Sequence, residues 1–197
     1  MKTAIEVLDA FENIRRAQRA GVYAPHKPLL ILLALARVQR GEPRMVEFAA
    51  IEALLKQLLA EFGPSSAAKS RHYPFWHLAT DGHGALWDLS GPREVLNRPA
   101  GATPSLCELL EHHIKGGFPA DVDEALRHIP GLLPEVASRV LDTYFPSTLH
   151  ADIVATLGLD LDGANELRDG APAPSAYTTA ERRRRDPGFS GAGAARL

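Results

Sequence analysis

Cysteine is almost missing from this chain: Cys107 stands alone among 197 residues. One thiol excludes an internal disulfide framework and any cysteine-rich zinc site, and it points to a reducing, cytoplasmic setting. An excess of one charge is missing too. With 22 Lys and Arg against 24 Asp and Glu, the net charge is −2, so any contact with a polyanion must come from local clusters. The apolar run Pro28 to Ala36 is too short to span a bilayer, which argues against a membrane partner, and the first residues do not read as a secretory signal. No Gly-rich phosphate cradle, Ser-centred nucleophile elbow or paired-carboxylate pattern is found. Neither a catalytic residue, a cofactor nor a small-molecule substrate is therefore expected.

What is present is a globular composition, 45% hydrophobic and 23% charged, able to bury one core. Ile5, Leu8, Phe11 and Ile14 share a stripe, predicting an amphipathic helix over 3–19 that ends in Arg15, Arg16 and Arg19. Ala24-Pro25-His26-Lys27-Pro28 leads into Leu29 to Val38, apolar on every side and so a central buried helix, closed by Gly41. Phe48, Ile51, Leu54, Leu55, Leu58 and Phe62 mark a third helix, ended by Gly63-Pro64.

The period then changes. Phe75 to Leu78 and Ala85 to Leu89 are rich in strand formers, and Asp81-Gly82-His83-Gly84 between them has turn chemistry, predicting a β-hairpin. Three helices and a hairpin follow the order of a winged helix, a fold-level hint of nucleic acid. Gly91 to Thr103 reads as a loop. Helices are expected at 104–114, 119–128, 131–144 and 148–158, with Gly116-Gly117-Phe118-Pro119 as a sharp joint. The fold class is therefore mainly α: one helical domain over 1–160, with a single β-hairpin in a winged-helix-like N-terminal part and a C-terminal helical part. Residues 161–197, rich in Ala, Pro, Gly and Arg around Arg182 to Arg185, read as a linker or tail.

The junction Tyr144-Phe145-Pro146-Ser147-Thr148-Leu149-His150 combines apolar rings with a helix start that Ser147 or Thr148 can cap. The free N–H groups there attract anions, while the rings suit a softer, poorly hydrated atom. Arg71-His72-Tyr73-Pro74-Phe75-Trp76-His77 is a second cluster. Phe75 and Trp76 read as core; Arg71, His72 and His77 suit phosphates or base edges, and Tyr73 can stack or donate. His26-Lys27 is a phosphate contact, a polar lock on a neighbouring loop, or a helix-start motif fixed by two prolines, the last being favoured. His112 and His113 diverge by roughly 100° on a helix and cannot chelate one ion together, so no metal is expected. Lys115 suits a backbone phosphate, and Arg98 lies in the loop after the hairpin. Cys107, between Leu106 and Leu109, reads as a buried structural thiol.

Together, His26-Lys27-Pro28-Leu29-Leu30, Tyr73-Pro74-Phe75-Trp76, Gly116-Gly117-Phe118-Pro119 and Phe145-Pro146-Ser147-Thr148-Leu149-His150 resemble the sulfur-binding domain of phosphorothioate-dependent type IV restriction endonucleases. The resemblance covers about residues 3–160. It implies a partner, double-stranded DNA in which sulfur replaces a non-bridging phosphate oxygen. It also implies a shallow apolar cavity for that sulfur, falling on Phe145, Pro146 and Leu149 with Tyr144 beside them. Ser147, Thr148 and His150 would address the phosphate; Arg71, His72, Tyr73, His77, Arg98 and Lys115 would contact bases or backbone. Members commonly continue into an HNH nuclease, and Arg182 to Phe189 resembles the start of that continuation, but no HNH motif is present. The expected role is recognition without cleavage; a sulfur-blind winged-helix regulator and a nuclease are the alternatives.

Overall fold

The computed structural model describes residues 1–12, 14, 18–19, 22–23, 25–64, 67–81, 86–99 and 101–164. The Arg182 to Arg185 run, and all but the first four residues of the expected tail, lie outside them.

Helix α1 (Ala4–Glu12) starts at Thr3, whose hydroxyl accepts from the Glu6 N–H while the Glu6 carboxylate accepts from the Thr3 N–H. It buries Val7, Ala10 and Phe11, and Ile14 is buried just beyond it. Ile5, placed on the inner stripe by its spacing, is 80% exposed. The expected helix over 3–19 is shorter than its pattern. Residues 18–19 (β1) and 22–23 (β2) pair instead as an antiparallel hairpin, with Gln18 opposite Tyr23 and Arg19 opposite Val22.

Helix α2 (His26–Gln39) is the axis of the core, buried without interruption from Pro28 to Ala36. Around it pack α3 (Phe48–Phe62), α4 (His72–His77), α7 (Ala120–His128), α8 (Leu132–Tyr144) and α9 (Ser147–Leu157). A helix so enclosed has no polar face to offer water, which is why its sequence is apolar all round. The class observed is the class expected: mainly α, with a hairpin.

The hairpin expected over 75–89 is not there. Residues 72–77 form α4, continued by a 3₁₀ turn at Leu78–Thr80. Pro74, Phe75 and Leu78 are buried while Tyr73 is exposed, a helical spacing that the aromatic run disguised as strand. Pro74 sits in the first turn, where no intrahelical donor is needed. The second half of that hairpin does hold a strand, β4 (Asp88–Ser90), but its partner is β5 (Lys115–Gly117). With β3 (Val46–Glu47) these form an antiparallel sheet in the order β3-β5-β4. The glycines expected to make a joint are thus the central strand. A Cβ on Gly116 would come within 2.5 Å of Trp87 Nε1 and 2.7 Å of Phe75 Cζ, and one on Gly117 would collide with the Arg44 carbonyl oxygen. Only glycine allows that approach.

Edge-on rings tie the layers together. Phe48 meets Phe75 at 5.0 Å, Phe75 meets Trp87 at 5.7 Å, Trp87 meets Phe118 at 5.7 Å and Phe118 meets Phe11 at 5.6 Å. The loop expected over 91–103 contains a short helix, α5 (Arg93–Leu96). Helix α6 (Leu106–Glu111) opens on a capping box between Ser105 and Glu108. Cys107 is exposed, not buried, because α6 turns Leu109 inward and position 107 away. At the C-terminal end, Arg40 donates to the Leu157 carbonyl at 3.1 Å, while Gln39 donates to Gly158 and accepts from the Asp160 N–H.

Candidate nucleic-acid interface

The two clusters singled out in the sequence lie on different elements and differ in character. The first is α4. Tyr73 is 46% exposed, and among the described side chains the only other large hydrophobics so exposed are Met1 and Ile5. Its ring stacks on His77, with centroids 6.0 Å apart and planes 6° from parallel, and lies 4.4 Å from His72 on the other side. Phe75, two residues on, is fully buried against Phe48 and Trp87, so the exposed ring rides on a rigid base.

Polar contacts brace this helix from three directions. His77 Nε2 is 2.7 Å from the Thr103 hydroxyl. Lys27, in the first turn of α2, donates to Asp81 at 2.6 Å, just past the end of α4, and the Asp81 side chain is fully buried. His26 Nε2 is 3.2 Å from the Ala67 carbonyl in the 3₁₀ turn Ala67–Ser70 that precedes α4. His26-Lys27 thus both opens α2, between Pro25 at the cap and Pro28 in the first turn, and forms a polar lock on the neighbouring segments. Lys27 sits at the positive end of a helix dipole, and the buried carboxylate offsets both charges.

Arg71 pairs with Glu52 and donates to the Ala68 carbonyl at 3.0 Å. Arg98 pairs with Glu108 and donates to the Val95 carbonyl at 3.2 Å. Both are already engaged within the fold. Burial lowers the pKa of His26, His72 and His77, outweighing the Ala67 hydrogen bond at His26; at His72 the Arg71 charge adds to it, and at His77 the Lys27 charge does. The α4 surface therefore presents neutral imidazoles around a tyrosine at neutral pH. The His72 Nδ1 atom is buried without a hydrogen-bond partner.

The second cluster is the turn from α8 to α9. Phe145 is 7% exposed and packs in the core, so little of its ring faces the surface. Tyr144 and Leu149 are half-buried; Pro146, Ser147 and Thr148 stand exposed. Pro146, not Ser147 or Thr148, occupies the cap position, and no side chain caps the helix. His150 turns inward, its Nε2 3.0 Å from the Phe145 carbonyl. From residue 140 to 164 the chain carries Asp142, Asp152, Asp160 and Asp162 and no Lys or Arg. Lys115 is exposed on β5, 3.6 Å from Glu47. Among the described residues no group of three or more His, Cys, Asp or Glu is placed to hold a metal ion.

Sequence reasoning thus singled out both stretches, and the structure sets them on separate elements, α4 and the α8–α9 turn. That reasoning missed Asp81 and Thr103 altogether. Asp81 read as turn chemistry and Thr103 as loop, and no local pattern links either to α4.

A family model, the ScoMcrA-like DNA sulfur-binding domain, matches residues 4–162. The chain belongs to this family. Three solved structures show the same fold. The sulfur-binding domain of ScoMcrA complexed with phosphorothioated DNA is 23% identical at a TM-score of 0.65, covering 81% of this chain and 96% of that one. The corresponding domain of SprMcrA, also complexed with phosphorothioated DNA, is 22% identical at 0.64, covering 82% and 97%. The type IV phosphorothioation-dependent restriction endonuclease ScoMcrA is 22% identical at 0.59, the match covering 86% of this chain but 29% of that one. No curated protein matches the chain. Among the described residues, no helix of this sulfur-binding domain is long and apolar enough to cross a membrane.

Proposed function

We propose that this domain recognises double-stranded DNA carrying a phosphorothioate linkage, as the reading module of a modification-dependent restriction system in the cytoplasm. In this proposal it contributes no nuclease chemistry of its own. The sulfur is taken on the α4 surface, against Tyr73. The observation that carries this reading is one exposed aromatic ring set against two imidazoles, on a helix fixed from behind.

The physics favours that combination. Sulfur is larger than oxygen and less well hydrated, so setting it against an aromatic edge costs little desolvation. A plain phosphate oxygen in the same place loses water and gains no donor, so discrimination comes from the penalty on the wrong ligand as well as from attraction to the right one. Arg71, His72 and His77, close to Tyr73 on or next to α4, and Arg98 in the loop after α5 are candidate contacts to phosphates and base edges. Ser147, Thr148 and the first N–H groups of α9, with Lys115, remain candidate backbone contacts. The turn as the sulfur cavity is disfavoured: its phenyl ring is buried and its surroundings are acidic.

A matched pair of duplexes, with and without one sulfur, tests the reading at a stated salt concentration. The modified duplex should bind at least roughly tenfold more tightly, about 1.4 kcal/mol. Equal affinity would overturn the proposal in favour of a sulfur-blind reader. Incubating the protein with modified plasmid and Mg²⁺ or Mn²⁺ should leave the DNA intact; cleavage that survives repurification would contradict the non-enzymatic role.

A further inference from the structure

The loop between α5 and α6 carries no helix or strand, yet it is held firmly. Arg98 at its start and the Ser105 N–H at its end bind the same carboxylate, Glu108; the Ser105 bond is 2.8 Å long. The Ser105 and Arg98 hydrogen bonds hold the Glu108 carboxyl down at about 2, so the clasp stays charged at any ordinary pH. Between these anchors the chain bends tightly. The Ala102 N–H donates to the Pro99 carbonyl at 3.0 Å, and Gly101 has φ +86°. Pro104 is buried beside it. One side chain of this braced loop reaches α4: the Thr103 hydroxyl, 2.7 Å from His77 Nε2.

His77 is the ring on which Tyr73 stacks. The Lys27 ammonium and the buried Asp81 carboxylate act on it with opposite signs, His72 lies near as well, and among the described residues none of the three hydrogen-bonds its ring. The orientation of the imidazole therefore rests on the hydroxyl. A histidine on a six-residue helix that lacked this bond would keep freedom about its side-chain torsions.

We propose that Thr103 is a specificity-determining positioning residue: through its hydroxyl it sets the plane of the His77 ring, and so the pose of Tyr73 that separates sulfur from oxygen. This rests on the reading that Tyr73 takes the modified linkage. It assigns part of the discrimination to a loop that touches the ring only through another side chain. Thr103 tunes the ratio between modified and plain duplex more than it tunes affinity for DNA in general.

The test compares Thr103→Val, which keeps the shape and removes the hydroxyl, with Thr103→Ser, which keeps the hydroxyl and removes the methyl. Binding to the matched duplex pair is measured at one salt concentration. Thr103→Val should lower the modified-to-plain ratio about fivefold, the size expected of one hydrogen bond, and Thr103→Ser should keep it within about twofold. In the free protein, the ¹⁵N shifts of the His77 imidazole should move in Thr103→Val and stay in Thr103→Ser. On a His77→Ala background, Thr103→Val should have no further effect on the ratio. Should Thr103→Val fail to fold, the Thr103→Ser ratio and ¹⁵N shifts still decide. The inference is overturned if Thr103→Val leaves the ratio unchanged, if Thr103→Ser loses it, or if the two losses add. A wild-type protein with no sulfur preference would instead sink the underlying reading, so the two failures are distinguishable.

Discussion

Helix α4 and the α8–α9 turn both place a tyrosine and a proline beside a polar run, and in sequence they look like rivals for one task. In the fold they are opposites. At α4 the proline and the phenylalanine are inside and the tyrosine is outside; at the turn the phenylalanine is inside and the proline outside. Around α4 lie Lys27, Lys69, Arg71 and three histidines, whereas the chain from 140 to 164 offers four aspartates and no lysine or arginine. At α4 the Asp81 and Glu52 carboxylates are matched by Lys27 and Arg71, whereas the stretch that holds the turn has acidic residues and no Lys or Arg of its own, so a polyanion meets less net repulsion at α4. The same residue types make an exposed surface or a core plug according to which ring the neighbouring helices leave uncovered.

Several substitutions sharpen this contrast. The largest effect should come from Phe145→Ala, which empties a core position and should cost ~3–5 kcal/mol in a denaturant titration. The folded fraction should keep its modified-to-plain ratio; a selective loss of that ratio would restore the turn as the sulfur cavity. Removing the cation behind α4 should come next. Lys27→Met strands the fully buried Asp81 carboxylate and should destabilise by ~3–5 kcal/mol. The double change Lys27→Met with Asp81→Leu should recover much of that stability but not the DNA affinity. Arg71→Ala should do less, weakening binding by only about twofold, because its guanidinium is already committed to Glu52. A loss of roughly a hundredfold would mean that Arg71 leaves Glu52 for the DNA.

The smallest effect is that of pH. The folded values of His26, His72 and His77 lie below the ordinary histidine value of about 6.5, chiefly through burial. The unfolded chain therefore binds more protons near pH 6 than the folded one. The stability these groups contribute is fully present above about pH 6.5 and is lost as pH falls through their lowered values. DNA affinity should move the other way. Phosphates favour the imidazolium, so binding should tighten for both duplexes as pH falls over the same window. Thermal melts and binding titrations from pH 7.5 to 5 should show the two trends crossing; affinity that falls together with stability would remove the histidines from the interface.

Much of this was legible from the residues alone. An apolar-all-round segment at 29–38 is the buried axis α2, and the helices around 106, 120, 132 and 147 begin within two residues of their expected starts. What escaped was decided at long range. The run Phe75 to Leu78 has strand propensity, but it is packed as a helix by Phe48 and Trp87, which lie far away in sequence. Gly116 and Gly117 read as a joint, because only the folded neighbours show that a Cβ has nowhere to go. Aromatic residues next to prolines marked both clusters, but pattern could not tell an exposed ring from a buried one. The His77–Thr103 and Lys27–Asp81 contacts each join two separate stretches of chain in ways no spacing rule anticipates.

The central claim is that discrimination of sulfur from oxygen resides on α4. Its most direct measurement is the ratio of affinities for the modified and plain duplex, determined for wild type, Tyr73→Asp and Pro146→Asp at one salt concentration. The account predicts that Tyr73→Asp brings the ratio to about one while Pro146→Asp leaves it within about twofold of wild type. A ratio lost in Pro146→Asp and kept in Tyr73→Asp would contradict it.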